Sequence, residues 1–398
     1  MTISTVTFQN DALYAIDALD TQVAQTQNQL STGLTLQNAA DNPVAMSQVN
    51  ELDNQLSASQ QYVTNGNGAT TNLQLEEQAL TNATNVLQSA QSLATEANNG
   101  ALNGSQRQDI ATQLQQLLQQ LVSVANSTDS NGNYLFAGTA SATQPFAQSG
   151  SSVAYSGSDT VNQVEVAPNQ FISQGDTGSS VFMSIPAGNG TFVTGAAAGN
   201  TGSASIDTGS VTDPSTWASN AGAYTISFVS PTQYEVTNSA GAVVVNPTTY
   251  TSGDAIAFEG VQVTVSGTPA TGDEFTVAPA GTASAFSTLS SLVTTLNSTT
   301  LTSAQITTQV GTALQQLGNA VTNLDNVQAS VGARIDAVST AKTTATSDQT
   351  TMQSTVSQLS DTDYAAATTQ LSTEEIALQA AEESYASISK LSLFNYLG

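Results

Sequence analysis

Apolar positions along the chain keep two different periods. Tyr364, Leu371, Leu378 and Tyr385 fall seven residues apart, and Ala367, Ala381 and Ile388 follow three of them by three. That spacing predicts a helix whose stripe packs along another helix. Glu374 interrupts the companion row where an apolar residue is expected, and Leu391, Leu393, Phe394, Tyr396 and Leu397 then form an apolar tail that needs a partner. Near the other end, Leu13, Ile16, Leu19, Val23 and Leu30 predict a weak amphipathic helix over 12–30, stopped by Ser31-Thr32-Gly33. Asn38-Ala39-Ala40-Asp41-Asn42-Pro43 is a turn with proline placed to begin a new helix. That helix is expected over 44–62, with Asn65-Gly66-Asn67-Gly68 loosening or ending it.

Stronger stripes follow. Leu73, Leu80, Leu87 and Ala94 repeat in sevens beside Ala83, Ala90 and Ala97, and Ile110, Leu114, Leu117, Leu121 and Val124 alternate fours and threes. The short polar loop between the two predicts an antiparallel hairpin. The longest stripe is Ile306, Val310, Ala313, Leu317, Ala320, Leu324, Val327, Val331, Arg334, Val338 and Ala341. If continuous from Ser303 to Leu359, that helix is roughly 85 Å long at 1.5 Å per residue. Such a length suits a coiled-coil rod. Arg334 occupies an otherwise apolar position, where an arginine either snorkels or pairs across an interface and can fix register.

Between the helices the period changes to two. Tyr224, Ile226 and Phe228, Tyr234 and Val236, Val261, Val263 and Val265, and Phe275 and Val277 alternate with polar residues amid Gly, Asn and Pro turns. This reads as an all-β region over about 146–279. Trp217, the only tryptophan, reads as a core or loop anchor. The expected fold class is therefore α+β multidomain, with long antiparallel or coiled-coil helices from both ends and an inserted all-β middle domain. Expected boundaries are 1–45 and 360–398 for an axial coiled-coil domain, 46–145 and 285–359 for a helical rod, and 146–284 for the β-rich insert.

Charge narrows the functions open to this fold. Thirty acidic residues face only Arg107, Arg334, Lys342 and Lys390, giving a net charge of −26. Nucleic acid and anionic membranes are disfavoured as partners, because lysine and arginine supply those contacts. Without histidine or cysteine there is no Ser-His base, no thiolate and no ordinary zinc site. No apolar run approaches a membrane span, and Met1–Asn10 lacks the basic and apolar regions of a Sec-type signal. No catalytic residue, cofactor or metal is expected. Glu76-Glu77, Glu374-Glu375 and Glu382-Glu383 read as solvated helix faces. Asp129-x-Asn131-x-Asn133 reads as a plain turn rather than a calcium loop. Asp273-Glu274 keeps a hydrolytic reading open, although no second placed acid accompanies it.

Leu30-Ser31-Thr32-Gly33 with Asn38–Pro43 resembles the N-terminal signature of the flagellin superfamily. Val331-Gly332-Ala333-Arg334-Ile335 and Leu391-Ser392-Leu393-Phe394-Asn395-Tyr396-Leu397 resemble its C-terminal counterpart. Within that superfamily, Gly132-Asn133-Tyr134-Leu135-Phe136-Ala137-Gly138 and Gly272-Asp273-Glu274-Phe275-Thr276-Val277 are similar to the hook-associated protein 3 family. The resemblance covers about 1–145 and 285–398 and departs from the family in its shortage of lysine and arginine. It implies export in an unfolded state through the flagellar channel and residence outside the cell at the hook–filament junction. The implied partners are copies of itself in a ring, hook-associated protein 1, flagellin and an export chaperone. Axial assembly would then rest on Leu13, Ile16, Val23, Leu30, Tyr364, Leu371, Leu378, Tyr385 and Ile388. Rod packing and register would rest on Leu80, Leu87, Leu114, Leu121, Leu317, Leu324, Val331 and Arg334. Two alternatives stand beside it: a flagellin that forms the filament itself, and a carbohydrate-binding or hydrolytic module in the β region.

Overall fold

The computed structural model describes residues 5–390, without the side chains of Thr5, Val6, Ile388 and Lys390; the apolar tail at 391–397 lies outside the described residues. Its helices are α1 (Thr5–Thr32), α2 (Pro43–Ala97), α3 (Gly104–Ala125), α4 (Pro214–Asn220), α5 (Ala285–Asn297), α6 (Ser303–Ser360) and α7 (Tyr364–Lys390). The chain divides into two compact units, Met1–Thr64 with Lys342–Gly398, and Asn65–Ala341.

In the first unit α1 packs directly against α7. Gly33, at φ +74°, ends α1 in the left-handed conformation that glycine adopts without a Cβ penalty. The Asn42 side chain accepts from the Ala45 N–H at 3.1 Å and caps α2 just before Pro43, as the turn signature predicts. Ser59 is buried and donates to the Ala345 carbonyl at 3.1 Å, tying the first part of α2 to the last part of α6.

In the second unit α2, α3, α5 and α6 share one core. The expected stripes of α2 and α6 are buried almost throughout, from Leu73 to Ala97 and from Ile306 to Ala341, with Val327 and Arg334 half-buried. Two expectations need correction. α2 does not break at Asn65–Gly68: it continues, Gly66 and Ala69 are buried, and the Asn65 amide donates to the Glu165 carbonyl at 2.8 Å. The small residues admit the hairpin of Gln163–Ala167 and Gln170–Ser173, whose Val166 joins Ala69, Val338 and Ala341 in a separate apolar cluster. That packing offsets the roughly 1 kcal/mol a helical glycine costs. α3 keeps Ile110, Leu114 and Leu121 in the core as expected, but its buried face is shifted to one side, with Leu118 and Ala125 buried and Leu117 and Val124 only half-buried against it. Its close neighbour is α5, a helix the stripes did not single out, which buries Phe286, Leu289, Leu292 and Leu296.

The β region holds a five-stranded antiparallel sheet in the order Val243–Thr249, Gln233–Asn238, Tyr224–Ser230, Glu274–Pro279, Phe192–Ala196. Ala255–Phe258 and Val261–Ser266 form a second antiparallel sheet with two short strands at Ser205–Ile206 and Ser210–Val211. The alternating residues named above are all buried, and those of both sheets meet in one core with Trp217 of α4. Trp217 packs between Phe192 and Tyr224 in tilted ring contacts, with centroids 5.7 and 6.1 Å away, an anchor as expected.

Candidate assembly surfaces and a buried polar cluster

The helix-ending turns of the first unit bond to each other. Thr35 N–H donates to the Ser360 carbonyl at 2.7 Å, and Thr362 N–H donates to the Gly33 carbonyl at 2.8 Å. Leu34 bridges Asp361 in antiparallel sense, so α1 and α7 run antiparallel from this clasp. The Tyr364 side chain lies over this turn, its hydroxyl 2.9 Å from where a Cβ on Gly33 would stand. Further along, Thr26 is buried and donates to Glu374 at 2.8 Å, while the Gln370 amide donates to the other carboxylate oxygen at 2.8 Å. The apparent defect at Glu374 is thus a polar pairing position between the two helices.

The axial residues fall into distinct environments. Val23 and Ala367 are buried, and Ile16, Leu30, Leu371, Leu378 and Tyr385 are half-buried. Leu13 and Tyr364 are exposed, and the Ile388 side chain lies outside the described residues. Tyr14 of α1 and Ile376 of α7 retain 75 and 66% of their surface, so apolar area remains on these helices after they pair. The rod residues Leu80, Leu87, Leu114, Leu121, Leu317, Leu324 and Val331 are all buried in the second unit's core.

Arg334 does not pair with another helix. Its guanidinium forms an ion pair with Asp176, the only one among the described residues, and donates to the Gly175 carbonyl at 3.1 Å. Asp176 in turn donates its N–H to Glu76 of α2 at 2.9 Å. Glu76 is fully buried, which corrects its reading as part of a solvated face; Glu77 alone is exposed. One Glu76 oxygen has no hydrogen-bond partner. Burial pushes its pKa up to about 8, the Asp176 charge adds to the rise, and Arg334 opposes it. The signal was present in the sequence: Glu76 lies one heptad before Ala83, Ala90 and Ala97, so the companion row carries it into the core. Asp176, in an irregular segment, carries no such mark.

The other candidates resolve into structural roles. Asp129 accepts from the N–H groups of Asn131 and Asn133, each at 2.8 Å, which closes the expected turn. Among the described residues no group of three or more acidic side chains could hold a metal ion. Asp273 is buried and accepts from the N–H groups of Thr201 and Ala270, each at 2.8 Å, and of Gly202 at 3.1 Å. Its carboxylate is committed to holding two loops. In the glycine–aromatic motif, Phe136 is buried and Gly138 turns at φ +59° against the Ser158 and Thr160 carbonyls.

Comparison with known proteins matches this architecture. The family model for the bacterial flagellin N-terminal helical region matches residues 3–141, and that for the C-terminal helical region matches 314–397. A model for a D2-like domain of flagellar hook-associated protein 1 matches 196–279. The crystal structure of Xanthomonas campestris FlgL is similar at 36% identity and TM-score 0.71, over 77% of this chain and 99% of that one. Hook-associated protein 3 from Legionella pneumophila is similar at 30% identity and TM-score 0.74, over 78% and 98%. The curated flagellar hook-associated protein 3 of Salmonella typhimurium is 34% identical over 185 residues, 46% of this chain and 58% of that protein. The chain thus spans about half the length of the curated relatives it matches. With both helical regions matched by the flagellin models and nearly the whole length of these solved relatives covered at 30% identity or more, the chain belongs to the flagellar hook-associated protein 3 family of the flagellin superfamily.

Proposed function

We propose that the chain is a structural adapter of the bacterial flagellum, joining hook-associated protein 1 at the hook to the flagellin filament. The observation that carries this reading is the α1–α7 pair, clasped at its turns yet exposed at Tyr14 and Ile376. Two helices that pair and still present apolar surface suit packing against the same helices of further copies in a ring. A relative described as the flagellar junction protein FlgL from Legionella pneumophila, 30% identical with all of its chain covered, supports the same role. The axial domain is 1–45 with 360–398, the rod 46–145 with 285–359, and the β-rich insert 146–284. Arg334 sets register in the rod by fixing the 173–176 segment. The protein acts outside the cell after passing the flagellar export channel with the help of an export chaperone. It has no catalytic role in this reading, which is supported by Asp273, one of the two acids considered for hydrolysis, being engaged by three backbone donors.

A flagellin that forms the filament is the competing reading, and copy number separates them. Quantitative gel analysis of sheared flagella should find this chain as a trace band beside the filament protein. If it dominates the preparation, the adapter role is wrong.

A further inference from the structure

Among the described residues, Glu76 is the one fully buried ionisable side chain of the helical core, and neither rod packing nor assembly explains it. Two carboxyl groups, Glu76 and Asp176, meet a single guanidinium, Arg334. Arg334 sits with Asp176, and Glu76 receives only the Asp176 N–H, its second oxygen sealed from solvent without a partner. Glu77 points to solvent, and the nearby Asp129 carboxylate is held by Asn131 and Asn133. Among the described residues no second cation is therefore at hand. A neutral carboxyl tolerates this place; a charged one has an orphaned oxygen and a like charge beside it.

We propose that Glu76 is a proton-dependent latch for the 173–178 segment, closed when the carboxyl is neutral and loosened when it ionises. In the neutral state Arg334 is free to hold Asp176 and the Gly175 carbonyl, which presses the segment onto α2 and α6. In the ionised state two carboxylates compete for that guanidinium, and solvating Glu76 requires the segment to move away. The raised pKa gives the sign. The closed state binds a proton that the open state releases, so closure is fully favoured below the ordinary carboxylate pKa of 4.5 and is lost as pH rises to about 8. This latch does not depend on the adapter role.

Hydrogen exchange on the full-length chain tests it, with rates corrected for the intrinsic pH dependence. The readout is the amides of Gln174, Asp176 and Gly178, which bond to Asn162, Glu76 and Phe136. Their protection should fall about tenfold per pH unit between about pH 5 and pH 8. Glu76→Gln keeps the acceptor for Asp176 N–H without a titrating proton and should make that protection independent of pH. Equal pH dependence in both proteins would overturn the latch. Carbon-13 titration of the Glu76 carboxyl in the unaltered chain gives an independent answer should the variant fold poorly. A midpoint above pH 7 supports the proposal, and a midpoint near the ordinary carboxylate value overturns it.

Discussion

Replacing Arg334 by methionine removes the guanidinium while keeping most of the apolar stem in the α6 stripe. The structure sets the size of the effect. The Arg334 and Asp176 side chains are 15 and 27% exposed, so their attraction is partly screened but not that of a surface pair. Hydrogen bonds to a charged donor contribute about 1.5–3 kcal/mol each when desolvated. Arg334 makes one to the Gly175 carbonyl at 3.1 Å, a longer one to Ser173 at 3.4 Å, and the ion pair with Asp176. Discounting for exposure, the loss should be about 2–3 kcal/mol. Urea titration followed by far-UV circular dichroism reads it in the helices. Trp217 fluorescence, which reports on the other core of the same unit, serves as the internal comparison. A double-mutant cycle with Asp176→Asn should return a coupling of about 1–2 kcal/mol, well above the additivity limit for independent sites. Additive effects would show that the ion pair contributes nothing to holding the segment and would refute the reasoning.

Other substitutions probe the remaining parts of the architecture. Leu114→Ala, in the centre of the helical core, should lower stability by about 2–5 kcal/mol in the same titration, the range for truncating a fully buried leucine. Gly138→Ala places a Cβ against two carbonyls in a left-handed turn and should depress the melting temperature strongly. Gly132→Ala, left-handed but open to solvent, should cost only about 1 kcal/mol; equal effects of the two would contradict the close approach of Gly138 to those carbonyls. Thr26→Val leaves one Glu374 oxygen without its partner and should destabilise the α1–α7 pair by about 1 kcal/mol, seen as faster hydrogen exchange in α7.

How much of this was legible in the sequence depended on how strictly each segment keeps its period. The stripes of α2 and α6 repeat over many turns, and the alternation at Tyr224–Phe228 and Val261–Val265 leaves one buried face. These were readable because a helix or strand buried on one side must keep its period throughout. Where a segment has two neighbours, the rule weakens. α3 meets α5 as well as the shared core, so Leu118 is buried and Leu117 is only half so. Asn65–Gly68 looked like a break because glycine is a poor helix former, but small residues are also what a crossing hairpin requires. Pairings far apart in sequence left fainter marks. Thr26 and Glu374 looked like ordinary polar positions until α1 and α7 were seen side by side. Glu76 could have been found by extending the alanine row back one heptad. Its partner Asp176 lies one hundred residues away in an irregular segment, where no period speaks for it.

In the adapter reading this chain joins two assemblies and does not build one of them. Immunogold labelling of intact flagella with antibody to the β-rich insert tests it most directly. The adapter reading predicts a single narrow band of gold where the hook meets the filament. Gold along the whole length of the filament would contradict it and make the chain a filament flagellin.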